Sequence, residues 1–107
     1  MDIRLNEDQL EIARQARRFF ENETPMKYVR AMFEDERGFT GEIWGKMAEM
    51  GWTAMRVPEA YGGLGMELID LAVVMEEMGR AVVPGPFFSS ALLAAEILME
   101  AGSDSQK

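Results

Sequence analysis

Three closely spaced glycines, Gly62, Gly63 and Gly65, are the residues of this chain whose spacing first suggests a ligand-binding loop. Backbone N–H groups of a glycine-rich loop can cradle a phosphate when the glycines follow a GxGxxG or P-loop pattern. Neither pattern is present, and no Lys-Ser/Thr pair follows. We therefore interpret the segment as a sharp turn before a helix, where glycine permits positive φ and close backbone approach.

Acidic residues offer a second possible chemistry, because two carboxylates can act as a general acid and a general base. Glu76 and Glu77 are adjacent on a predicted helix and point about 100° apart, so they do not converge on one substrate atom. We expect them to lie on a solvated face or to pair with Arg80. Asp35 and Asp70 lack the spacing of metal ligands.

Two residue types are missing, and their absence narrows the chemistry further. The 107 residues include no histidine and no cysteine. This removes the usual general base, the commonest metal ligand, thiolate nucleophiles and disulfides. We expect no catalytic residue and no metal site in this chain.

Length and charge limit the size of the protein and the kind of partner. With 107 residues and 48% hydrophobic content, the sequence predicts one domain with one modest core. A net charge of -8 argues against nucleic acid and anionic membranes as partners. Residues 1–7 show no apolar leader, and no run approaches the ~20 residues of a membrane span. We expect a cytoplasmic protein that does not bind membranes.

Capping residues and apolar periodicity predict an all-α, antiparallel bundle of about five helices. Asn6 and Gln9 predict a capping box at the first helix, and Thr24 is predicted to cap the second, with Pro25 as its first residue. Thr40 is predicted to cap the third helix. The predicted helices are Asn6 to Glu23, Thr24 to Gly38, Thr40 to Gly51, Glu67 to Met78 and Pro86 to Ala101, with an extended connector from Trp52 to Pro58.

The last two predicted helices carry more apolar residues than one small core can cover. The predicted stripe of the fourth is Leu68, Leu71, Ala72, Met75 and Met78, and that of the fifth is Phe88, Ala91, Leu92, Ala95, Leu98 and Met99. We expect the surplus apolar surface to meet another chain or a further part of the same chain. Ser103 and Gln106 form another potential capping box, which predicts that a further helix begins here; a frayed tail is the alternative.

Several segments in this order resemble the N-terminal helical domain of acyl-CoA dehydrogenases. They are Leu5-Asn6-Glu7-Asp8-Gln9, the Trp44, Met47 and Met50-Gly51-Trp52 set, Val57-Pro58-Glu59-Ala60-Tyr61-Gly62-Gly63-Leu64-Gly65, Met75-Glu76-Glu77-Met78-Gly79-Arg80 and Ala101-Gly102-Ser103-Asp104-Ser105-Gln106-Lys107. The resemblance covers nearly all of residues 1–107. The Pro84-Gly85-Pro86 turn departs from the straight-chain enzymes, and we expect it to reshape the entrance to the acyl pocket.

The resemblance implies that this domain belongs to a larger FAD enzyme that dehydrogenates an acyl-CoA between its α and β carbons. The middle β-barrel and C-terminal helical domains of such an enzyme are absent from this chain. They would supply the catalytic glutamate and most of the flavin and CoA site, so we expect no flavin on this chain alone. The resemblance also implies a homo- or hetero-oligomer.

Two sets of residues follow from the resemblance as site candidates. The first helical turns after Pro86 are expected to help line the acyl pocket, through Phe87, Phe88, Ser89, Ser90 and Leu92; the alternative is that Phe88 and Leu92 are core residues. Glu59, Tyr61, Gly62, Gly63 and Gly65 are expected at a junction between domains. Two other functions stay open, a stand-alone helical interaction module and a non-catalytic partner subunit of a hetero-oligomeric dehydrogenase.

Overall fold

The computed structural model describes residues 4–107, which form five α-helices and no strand. The helices are α1 (Glu7–Glu23), α2 (Met26–Glu34), α3 (Gly41–Glu49), α4 (Leu68–Arg80) and α5 (Ala95–Ala101). A π-helical segment, Phe88–Ala94, leads directly into α5. The predicted all-α fold is confirmed. Met1, Asp2 and Ile3, which belong to the N-terminus predicted to lack an apolar leader, lie outside the described residues. None of the helices within residues 4–107 is long and apolar enough to cross a membrane.

Side-chain caps fix where α1 and α3 begin. The backbone N–H of Gln9 donates to Asn6 Oδ1 at 2.8 Å, and the N–H of Asn6 donates to Gln9 Oε1 at 3.0 Å. This reciprocal pair is the predicted capping box. At α3 the N–H of Ile43 donates to the Thr40 hydroxyl at 3.3 Å, so Thr40 is the predicted cap.

Thr24 has a different role from the predicted one. It caps the C-terminal end of α1, where its hydroxyl donates to the carbonyl of Phe20 at 3.0 Å. Pro25 then occupies the N-cap position of α2 rather than the first helical position. The Thr24 side chain is buried against the end of α1, and α2 begins without a side-chain cap.

The predicted extended connector after α3 is wrong. Gly51 adopts a left-handed φ of 84°, and Trp52–Ala54 then forms a 3-10 turn. The reversal inserts the Trp52 ring between α1 residues, with centroids 5.1 Å from Phe19 and 5.4 Å from Phe20. Aromatic packing therefore decides the conformation of a segment that has no strand partner.

The core is centred on the interface between α1 and α4. Leu71 and Val74 of α4 are fully buried, and so are Ala16 and Phe20 of α1. The two helices run parallel, because Gln9 contacts Asp70 near their N-termini and Arg17 contacts Glu77 two turns later. The chain between α1 and α4, which includes α2 and α3, returns to the end of the bundle where α1 begins. This central pair therefore differs from the predicted antiparallel arrangement.

The predicted stripes of the last two helices are partly wrong. Leu71 is buried as predicted, but Leu68 and Ala72 are exposed, and α4 also buries Val73, Val74 and Glu77. In the following helix Ala91 is buried as predicted, but Phe88 and Leu98 are exposed. In this last helix, the i→i+5 hydrogen bonding of the π-helical segment changes which residues share a face from those that a 3.6-residue period predicts.

The last described residues form one turn. Gln106 Oε1 accepts from the backbone N–H of Ser103 at 2.8 Å, and the N–H of Lys107 donates to the Ser103 carbonyl at 3.1 Å. The Ser103 hydroxyl lies 3.1 Å from the Ser105 hydroxyl. The Gln106 half of the predicted capping box is therefore present.

Candidate functional site

An apolar groove of about 610 Å³ opens between α2, the end of α4 and the start of the last helix. Apolar side chains, glycines and a proline line it, and no charged side chain does. Four other cavities among residues 4–107 have volumes of about 170, 250, 310 and 210 Å³. Such a lining suits an apolar ligand or an apolar part of a larger ligand.

Two helices build opposite walls of the groove. Val29, Met32 and Phe33 come from α2, and Met75, Met78 and Gly79 come from α4. In each helix the spacing is i, i+3 and i+4, which places three residues on one face. This spacing is visible in the sequence of α2, but no local pattern indicates that this side faces α4 across a groove.

The turn from Val82 to Gly85 and the two phenylalanines after it close one end of the groove. Phe87 is 2% exposed, and its ring centroid lies 6.3 Å from that of Trp44. Phe88 is 52% exposed and presents its ring at the groove. Phe87 is thus mainly a core residue, whereas Phe88 is open to a ligand.

The other candidate pocket residues lie outside the groove lining. The Ser89 hydroxyl donates to the carbonyl of Pro86 at 3.1 Å, and Ser90 is exposed. Leu92 is half-buried and packs against the core. The structure therefore brings Phe87 and Phe88 together with α2 and α4, and contact of the other three with a substrate stays a prediction.

The glycine-rich segment is a tight loop with Glu59 and Tyr61 exposed on its surface. Gly62 and Gly65 have left-handed φ values of 86° and 62°. A Cβ at Gly63 would lie 2.1 Å from the carbonyl oxygen of Val57, so no side chain fits there. The segment is a packed turn with an exposed edge, and its role at a domain junction stays a prediction.

The N–H groups of the loop's three glycines are already hydrogen-bonded, so they are not free for a phosphate. The N–H groups of Gly62, Gly63 and Gly65 donate to the carbonyls of Glu59, Pro58 and Val57 at 3.0, 3.1 and 2.9 Å. A bound pyrophosphate would have to break these bonds. Because the groove also lacks charged donors, the described residues do not fit the requirements of a flavin dinucleotide site.

Sequence reasoning missed an ion pair that joins α1 to α4. Glu77 is 7% exposed and accepts two hydrogen bonds from Arg17, at 3.1 and 2.9 Å. This bond also raises the pKa of Arg17 above its ordinary value. The predicted solvated face or Arg80 partner is therefore wrong for Glu77, because α4 turns this residue towards α1. The pair is a structural contact rather than an acid–base site.

Comparison with known sequences identifies the same family over nearly the whole chain. The family model for the acyl-CoA dehydrogenase N-terminal domain matches residues 6–107. The acyl-CoA dehydrogenase IpdE2 of Mycobacterium tuberculosis is 39% identical over 79 residues, which cover 73% of this chain and 25% of that protein. IpdE2 of Mycolicibacterium smegmatis is 42% identical over 71 residues, covering 65% and 23%. The chain thus spans about a quarter of the length of these relatives.

A solved structure agrees with this assignment. A variant of the Tcur3481-Tcur3483 steroid ACAD superimposes with a TM-score of 0.84 at 33% sequence identity. The match covers 94% of this chain and 27% of the solved chain. The chain belongs to the acyl-CoA dehydrogenase family, and its described fold is that of the family's N-terminal helical domain.

Proposed function

We propose that this domain forms part of the acyl-pocket wall in a flavin-dependent dehydrogenase that acts on an acyl-CoA thioester. The proposed reaction is α,β-dehydrogenation. In this proposal the domain binds and orients the acyl group, while other parts of the enzyme perform the chemistry.

The observation that carries this proposal is the uncharged groove between α2 and α4. Its volume of about 610 Å³ and its apolar lining suit an acyl chain, which has no polar atom beyond its thioester end. Phe33 and Phe88 remain 87% and 52% exposed although both belong to the lining. A free domain gains nothing from exposing two aromatic rings, whereas a pocket wall needs them open.

Contact with the rest of the enzyme accounts for a second exposed apolar surface. Leu64, Leu68 and Ile69 are 46%, 50% and 48% exposed around the start of α4, and Ile97 of α5 is 63% exposed. Leu64 lies within the glycine-rich loop and Leu68 and Ile69 come directly after it, so the proposed domain junction extends from Tyr61 onto the start of α4. Burial of this surface would stabilise an assembly of domains or subunits.

We propose that FAD is held by other parts of the enzyme, because the described residues offer no donor set for its pyrophosphate. When bound there, the flavin supplies the redox chemistry that this chain lacks. The contribution of this domain is then restricted to shaping the space next to the reacting carbons and excluding water from it.

Expression of the complete reading frame that contains this domain tests the proposal. Purified protein is assayed for acyl-CoA-dependent reduction of an artificial electron acceptor, with short, branched and steroid-type acyl-CoA substrates. We expect flavin to co-purify and Phe88→Ala to change KM across the panel more than kcat. The control is Met26→Ala, which removes an apolar side chain outside the groove lining that is about as exposed as Phe88, 48% against 52%, and should leave the KM pattern unchanged. Absence of acyl-CoA-dependent turnover with flavin bound would contradict the proposal.

A second candidate is a non-catalytic subunit of a hetero-oligomeric dehydrogenase. The name of the structural relative joins two designations, Tcur3481 and Tcur3483, which favours assembly from two different chains. In this case the protein expressed alone has no turnover, and co-expression with a flavin-bearing dehydrogenase chain restores it. The groove has the same role in both candidates.

A further inference from the structure

The turn after α4 contains a residue in a conformation that its side chain disfavours. Val82 has a φ of 54°, and it is the one non-glycine residue with positive φ in the part of the chain that the structure describes. Steric contact between Cβ and the backbone makes this region costly for any L-residue, and for a β-branched residue it is a true outlier.

The hydrogen bonds of the turn show why this position has a left-handed backbone. The N–H of Val82 donates to the Gly79 carbonyl at 3.2 Å, and the N–H of Val83 donates to the Met78 carbonyl at 3.0 Å. These two bonds define a Schellman motif with Ala81 as the C-cap and Val82 in the position that glycine normally occupies. The helix end thus requires positive φ here, whichever residue is present.

Neighbouring residues keep the turn from relaxing. Pro84 and Pro86 fix their own φ angles, and each also restricts the residue before it. A Cβ at Gly85, whose φ is 129°, would lie 3.4 Å from Phe39 Cβ, so the turn passes close to that residue. The surrounding structure therefore holds Val82 in place, which is the condition for backbone strain to persist.

Burial in the core does not compensate for this strain. The Val82 side chain is 58% exposed, so removing it from the folded domain would lose little apolar packing. It does, however, line the groove beside Met78 and opposite α2. Glycine would satisfy the backbone better, and what valine adds is two methyl groups at the mouth of the groove.

We infer that Val82 is a specificity-determining residue whose methyl groups contact the acyl group and narrow the groove mouth. This inference rests on the proposed acyl-binding function of the groove. The ligand it takes is the apolar part of an acyl-CoA, since the lining has no partner for a polar or charged group. The strain at Val82 is then a cost in stability that is retained for binding.

The test combines a melting curve with a binding measurement on the 107-residue chain. Octanoyl-CoA is titrated at millimolar concentration and followed by methyl NMR, with CoA alone as the control ligand. Val82→Gly should raise the melting temperature by about 4 °C because it removes the strain. It should also raise the Kd for octanoyl-CoA about fivefold, because binding no longer gains free energy from burying the half-exposed Val82 side chain.

Two further variants separate the inference from the function on which it rests. Phe33→Ala removes a different groove residue. Ile97→Ala removes an apolar residue outside the groove whose exposure, 63%, is close to the 58% of Val82. If Phe33→Ala weakens octanoyl-CoA binding and Val82→Gly does not, the role of Val82 is overturned and the groove proposal stands. If neither changes the Kd, both are overturned. A lower melting temperature for Val82→Gly would overturn the claim of strain.

Discussion

Helix α4 has two sides with opposite properties. Towards α1 it buries Leu71, Val74 and Glu77, and the interface is closed. Towards α2 it presents Met75 and Met78 to an open groove of about 610 Å³. Both sides are rich in apolar residues, so composition does not separate them. The difference is that the first side has its partner within the chain, whereas the second has space for a partner from outside.

This contrast separates the source of stability from the site of recognition. Side chains at the α1 interface are fixed by packing and by the Arg17–Glu77 pair, so a change there should lower stability. Phe33 and Phe88 of the groove are exposed, so truncating either should alter binding and leave stability nearly unchanged. Pairs of equivalent substitutions on the two sides test this division.

The largest expected effect comes from truncating the same residue type on the two sides. Phe20 is 1% exposed and Phe33 is 87% exposed. Phe20→Ala should lower the free energy of unfolding by about 4 kcal/mol, because it leaves a cavity beside Phe19 and Trp52. Phe33→Ala should change it by less than about 0.5 kcal/mol. Urea unfolding measures both, and equal losses would show that the groove is as closed as the core.

The ion pair between buried Glu77 and half-exposed Arg17 should give the next largest effect. Glu77→Gln removes the carboxylate that accepts both Arg17 hydrogen bonds and should lower the free energy of unfolding by about 2 kcal/mol. Glu11→Gln is the matched control, since Glu11 pairs with Arg14 at 2.8 Å on the exposed face of α1. That pair is solvated, so its loss should fall within the error of the same unfolding curves. Similar losses for both variants would contradict the special position of Glu77.

Substitutions on the groove side should change the binding of a hydrophobic dye rather than the free energy of unfolding. The 107-residue chain exposes Phe33, Phe88 and Val82 together, and should therefore bind anilinonaphthalene sulfonate. Phe33→Ala should reduce the fluorescence about twofold, since it removes the most exposed ring of the lining. Ile97→Ala provides the comparison outside the groove. A chain that does not bind the dye and stays monomeric in light scattering would contradict an open apolar surface.

The smallest effect is expected at the end of α2, where the chain leaves the groove. The Arg37 side chain donates to Asp35 and, with the Arg37 backbone N–H, lowers the pKa of Asp35 from 3.8 to about 2. Because the pKa of Asp35 is lowered by folding, its carboxylate stabilises the fold when the pH is above the ordinary pKa. This contribution is lost as the pH falls from 3.8 towards 2. Asp35→Asn should flatten the pH dependence of stability in that window, and Arg37→Gln should have the same effect. A steeper pH dependence of stability in Asp35→Asn than in the unmodified protein would contradict this prediction.

The sequence predicted the closed side of the molecule better than the open side. Local signals such as the Asn6–Gln9 capping box and the Thr40 cap depend on residues three apart, and the structure contains both. The burial of Glu77 was missed because its partner Arg17 lies on a different helix, and no local pattern shows which face of α4 meets α1. Phe88 was wrongly placed in the predicted stripe because it lies in a π-helical segment, which no local sequence pattern indicated.

The groove could be predicted only in parts. The apolar spacing of Val29, Met32 and Phe33 was visible, and Phe88 was a candidate through the family resemblance. Their convergence depends on the turn at Val82, whose left-handed backbone contradicts the preference of valine. Local propensity alone could not have predicted that turn.

The most direct test of the groove as acyl-pocket wall is a crystal structure of the complete enzyme with a non-reactive acyl-CoA analogue. The account predicts that acyl carbons lie in van der Waals contact with Phe33, Val82 and Phe88, with the thioester directed away from α2. A groove filled by side chains of another domain or subunit, with the acyl chain bound elsewhere, would contradict it.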